Sequence, residues 1–107
     1  MLDAAFFVAP KPIAREVELP DGTKHKLFFR ELPVTDFRLF QLAERSANDN
    51  ERAGSIAKLI SMSLATEDGK LVLTYEKALQ LNQAAANALT AAVLDVNGYE
   101  GGRAKKA

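Results

Sequence analysis

Cysteine is absent from the 107 residues, which excludes disulfides, thiol nucleophiles and Cys-ligated zinc or iron–sulfur centres. A surplus of charge is missing as well. Lys plus Arg total 14 and Asp plus Glu total 14, so no excess of positive charge is on hand to neutralise phosphates, and nucleic acid is not an expected partner. No run approaches the roughly 18 apolar residues that span a bilayer, so no membrane partner is expected. Residues 4–9 are apolar, but no basic segment precedes them and a signal-peptide core is longer. The expected compartment is the cytoplasm.

Residues able to carry catalysis are equally sparse. His25 is the only histidine, and with no second ligand nearby in sequence it reads as a structural residue. Glu67-Asp68-Gly69 lacks the alternating oxygen ligands and terminal Glu of a calcium loop. Gly101-Gly102 neither follows a strand nor precedes a helix, so it is not a phosphate-binding loop. Ser61 and Ser63 stand in no nucleophile-elbow context. The expectation is a protein that is not an enzyme, with no cofactor, no metal and no catalytic residue.

What remains is a chain of ordinary globular composition, 48% hydrophobic and 26% charged, of a length that suits one domain. Residues 1–13 hold Phe6, Phe7 and Val8 and then Pro10 and Pro12, a pattern that predicts an extended N-terminal arm and makes the three apolar residues candidates for oligomer contacts. A hairpin follows, with strands over 15–19 and 23–32 around Pro20-Asp21-Gly22. Its register sets Glu18 opposite Lys24, Glu16 opposite Lys26 and Val17 opposite His25, and alternation leaves Phe28 on the charged face. Residues 33–36 predict a helix start capped by Thr35 with Val34 stapled to Leu39. That first helix carries Phe37, Phe40, Ala43 and Ala47 on one side, with Leu39 and Leu42 widening its apolar arc.

A second helix over 51–65 has Ala53, Ile56, Ala57, Ile60 and Leu64 at core-facing spacing, which leaves Leu59 and Met62 off the stripe. Residues 67–70 read as a turn, 71–73 as a short extended piece, and Thr74 as the cap of a short helix over 75–81. Asn82 starts a last helix with Ala85, Leu89, Ala92, Val93 and Val96 on one side and Asn97-Gly98 as its stop. The whole is predicted to be α+β: mainly α, with an N-terminal hairpin followed by three to four packed helices in one domain over 14–98. Residues 99–107, with Arg103, Lys105 and Lys106, read as a flexible basic tail.

The order of Leu19-Pro20-Asp21-Gly22, Phe29-Arg30-Glu31-Leu32, Glu67-Asp68-Gly69-Lys70 with Thr74, and Val96-Asn97-Gly98 resembles the tail assembly chaperones of long-tailed bacteriophages or prophages. The likeness covers roughly residues 15–98, and each motif alone is a common turn or cap. It implies a non-enzymatic chaperone that binds the tape measure protein and helps recruit tail tube protein, acting as a homo-oligomer and left out of the mature virion. On that reading Phe28, Leu59 and Met62, which the core-facing pattern does not use, are the candidate partner-binding surface, with Met62 suited to a permissive contact. The alternative is a structural virion component, such as a small head–tail connector or tail-completion protein.

Overall fold

The computed structural model describes residues 2–98; the predicted basic tail and Gly101-Gly102 lie outside them. The fold is α+β, an antiparallel three-stranded sheet with helices packed on it. In chain order the elements are β1 (Ile13–Glu18), β2 (Lys24–Phe29), α1 (Val34–Glu44), α2 (Asp49–Ser63), β3 (Leu64–Ala65), α3 (Tyr75–Ala78) and α4 (Gln83–Val96).

The β1–β2 register is the one that the turn chemistry dictates: Glu18 faces Lys24, Val17 faces His25 and Glu16 faces Lys26. Gly22 takes φ +88°, a left-handed conformation that costs a β-carbon-bearing residue. Asp21 closes the turn by accepting from the Thr23 amide at 3.0 Å and from its hydroxyl at 2.7 Å. Those two bonds hold the Asp21 carboxyl below the usual carboxylate range. Because the folded-state pKa is depressed, this contribution is present above the unfolded value and lost as pH falls through the folded one. Nothing lies within 4 Å of a β-carbon built on Gly22, so Gly22→Val tests the backbone alone. The expected loss is about 1–2 kcal/mol. An unchanged thermal melt would refute the turn.

One face of the hairpin carries Ile13, Val17, Leu27 and Phe29, and α4 packs on it with Leu89, Val93 and Val96. Arg15 shares that face and reaches Asp95 of α4, Nε to Oδ2 at 2.7 Å. Asn97 fastens the same end: its Oδ1 accepts from the Leu32 amide at 2.8 Å while its Nδ2 donates to the Val93 carbonyl at 2.8 Å. Its role thus exceeds that of a helix stop, because it satisfies the amide of buried Leu32 in the link between β2 and α1. Gly98 then takes φ +74°. At the other end, Asn82 caps α4 by accepting from the Ala85 amide, and Thr74 caps α3 by accepting from the Lys77 amide, as their positions predict.

Four local expectations are corrected. The cap of α1 is Pro33, with no side-chain cap bond, because the Pro33 carbonyl already accepts from the Phe37 amide. Thr35 therefore lies inside the helix. Val34 is the first helical residue, so the staple to Leu39 has no geometry to act through, and both side chains are exposed. The arm is not wholly extended: Asp3 accepts from the Ala5 amide and nucleates a single 3₁₀ turn over Ala4–Phe6.

The fourth correction concerns α2, which ends at Ser63. The Ser63 hydroxyl, fully buried, donates to the Arg30 carbonyl at 2.9 Å, and the Ser63 carbonyl accepts from the Arg30 amide at 2.7 Å. These bonds draw the chain out of the helix, so Leu64 and Ala65 become β3, paired with Phe29 and Phe28. Residues 67–70 turn back as expected, with Gly69 at φ +94°, and Ala65 bridges Leu71.

Candidate functional site

Helix α2 packs against α1, α3 and α4, which explains a burial pattern that the core-facing stripe misses. Gly54, Ser55, Ala57, Leu59, Ile60, Ser61 and Ser63 are all buried, whereas Ala53 is exposed. Leu59 is 0% exposed and belongs to the central cluster with Phe29, Ile60 and Val93. It is core, not partner surface: a helix enclosed on several sides buries residues that a one-sided pattern leaves over. Met62 is partly buried against the same cluster. Phe28 is half-buried, faces Ala14 and Ala65 across the sheet, and lies under the Lys26 ammonium, 5.7 Å from its ring centre. Pairing with β3 gives Phe28 its neighbours. The three residues do not form one open surface.

The arm is different. Phe6 is 69%, Phe7 62% and Val8 41% exposed, and the segment is tied back where the Ala9 amide donates to Glu31 Oε1 at 2.6 Å. His25 is exposed, with Nε2 3.0 Å from the Thr23 hydroxyl. Among the described residues no three His, Asp or Glu side chains gather as metal ligands, and no helix is long and apolar enough to cross a membrane.

A groove of about 430 Å³ lies between α1 and α2, lined by Leu39, Leu42 and Ala43 on one side and by Glu51, Gly54, Ser55, Lys58 and Tyr75 on the other. The sequence predicts an apolar arc widened by Leu39 and Leu42; in the structure Phe40 fills the core while these two leucines face solvent, 52% and 56% exposed. Sequence periodicity missed Gly54 and Tyr75, which are brought together by the return of the chain after β3.

Gly54 is a mid-helix glycine that would cost about 1 kcal/mol against alanine if nothing required it. Something does: a β-carbon there would stand 2.1 Å from Tyr75 Oη and 3.2 Å from Cζ. The phenol ring lies across the helix at this point, with the Lys58 ammonium 5.8 Å from its centre. Gly54→Ala should therefore displace Tyr75 and lower stability, by up to about 2 kcal/mol once the propensity gain offsets part of an overpacking cost of about 1–3. In a Tyr75→Ala background the same substitution should raise stability by about 0.5–1 kcal/mol. Denaturant melts of the four proteins check this, and an identical effect in both backgrounds would remove Tyr75 as the reason for the glycine.

Comparison with known protein families, with curated proteins and with solved structures finds no match to this chain.

Proposed function

We propose that this protein is a tail assembly chaperone of the long-tailed phage or prophage type, which holds tape measure protein segments soluble and helps recruit tail tube subunits, and that it performs no catalysis. The observation that carries the reading is the solvent-open groove with Leu39 and Leu42 on its rim. A chaperone for a long apolar helix needs apolar surface beyond its own core, and the groove supplies it on a rigid helical frame. The order of turn and cap motifs from Leu19-Pro20-Asp21-Gly22 to Val96-Asn97-Gly98 supports the same reading. Action in the host cytoplasm and exclusion from the virion belong to it.

Co-expression with a tape measure fragment tests the proposal. The wild-type chain should keep the fragment in the soluble fraction, and Leu42→Asp, at an exposed position where stability shifts by only about 0.5 kcal/mol, should lose it while melting normally. A fragment that precipitates beside well-folded wild-type protein removes the chaperone reading.

The exposed Phe6, Phe7 and Val8 favour one second reading, a structural virion component that assembles permanently through its arms. Mass spectrometry of purified virions separates the two: a connector or completion protein is present in fixed copy number, a chaperone absent or scarce.

A further inference from the structure

We infer that residues 73–81, with α3 at their centre, form a strap that lifts off α2 as a unit while the rest of the fold stays closed, uncovering a face of α2 that is shut at rest. Both ends of the strap are pinned. The Val72 amide donates to the Leu64 carbonyl at 3.1 Å, and Asn82 caps α4 by accepting from the Ala85 amide at 2.8 Å. Between those points, among the described residues, every hydrogen bond of 73–81 stays inside the segment. The Thr74 hydroxyl and carbonyl accept from the Lys77 and Ala78 amides, and the carbonyls of Tyr75, Lys77 and Ala78 accept from the amides of Leu79, Gln80 and Leu81. No ion pair ties the segment to a neighbouring element among the described residues. Lifting the strap whole therefore breaks none of these bonds.

Apolar contact and one exposed cation–π pair, Lys58 over Tyr75, hold the strap down. The contact is thin. Ala78 is the one buried residue of the segment, at 3% exposed; Leu73, Tyr75 and Leu81 are half-buried, and Leu79 faces solvent. Few buried apolar groups and no bonds to other elements mark a unit that opens at a lower free energy than the whole domain. Helix α2 also packs on α1 and α4, so it keeps its place when α3 leaves.

The strap stands between two concavities. Tyr75 closes the α1–α2 groove, while Ala78 and Leu79 line a second cavity of about 290 Å³ together with Ala57 and Ile60 of α2. With the strap lifted the two join along Gly54 and Ala57, which lie three residues apart on one side of α2 and are both buried at rest. The fold thus holds an apolar face in reserve, behind a segment tied only at its ends.

The chain has no cysteine, so a single introduced thiol reports exposure where it is placed. Ala57→Cys puts one under the strap, and Val93→Cys puts one in the central cluster, at a position 0% exposed. Treated with a thiol reagent under native conditions, Ala57→Cys should react at least about ten-fold faster than Val93→Cys, because the strap opens more often than the domain unfolds. Adding Gly22→Val, which weakens the hairpin turn and not the strap, should speed Val93→Cys about ten-fold and leave Ala57→Cys unchanged. Adding Tyr75→Ala, which removes the ring that lies across Gly54, should speed Ala57→Cys about ten-fold.

Equal responses of the two thiols to Gly22→Val would overturn the inference, since position 57 would then be reached only by global unfolding. Labelling of Ala57→Cys that Tyr75→Ala does not change would overturn it too, since the thiol would be reached with the strap in place. Hydrogen exchange of the unaltered chain gives a reading that no substitution disturbs: the amides of Ala78, Leu79 and Leu81 should exchange together, with a weaker dependence on urea than those of Leu59 and Val93. A dependence as steep as theirs would mean that α3 leaves α2 only when everything unfolds.

Discussion

Leu59→Asp is expected to abolish the folded state. Leu59 is fully enclosed among Phe29, Ile60 and Val93, so the substitution forfeits about 2–5 kcal/mol of burial and packing and adds several more for a carboxylate with no partner. Together these match the roughly 5–15 kcal/mol that holds a domain of this kind together. The variant should show no cooperative thermal transition and should bind hydrophobic dyes. Leu42→Asp is the control, since the same charge at a half-exposed position should leave the melt nearly unchanged. A normal melt for Leu59→Asp would mean that the helix packing described above is wrong.

Phe29→Ala is the next most damaging change. Phe29 is 0% exposed on the central strand, opposite Ile13 of β1 and Leu64 of β3, so its ring joins both neighbouring strands to the helical layer. Truncation of such a phenylalanine costs about 3–5 kcal/mol. For a domain of this size that is a fall in Tm of more than about 10 °C. Phe28→Ala, one residue earlier and on the opposite face, should cost much less. Comparable losses for the two would contradict the pleat that puts them on opposite sides.

The contrast between those two residues shows which parts of the fold were legible in the chain. Where a structure is fixed by local chemistry, the sequence carried it: Gly22 forces the turn and with it the register, and Thr74, Asn82 and Gly98 mark helix ends through bonds to residues a few positions away. Where long-range partners decide, it did not. Nothing in the spacing of 51–65 announces that Ser63 exchanges bonds with Arg30, 33 residues earlier, and so ends the helix two residues early. The same limit misassigned Leu59, since a helical stripe describes burial from one side only. Leu39 and Leu42 were legible only as a widening of the apolar arc of α1, and the groove they border needs Tyr75 laid across Gly54, a contact between residues 21 positions apart.

The ties from Arg15 to Asp95 and from Leu32 to Asn97 span 80 and 65 residues. They impose an order on synthesis. The hairpin leaves the ribosome before α4, and the face that carries Val17 and Phe29 lacks its α4 cover until that helix follows, so a nascent chain displays this apolar strand surface in the interval. On the chaperone function proposed above, the hazard that the protein would spare its partner is one that its own hairpin meets first.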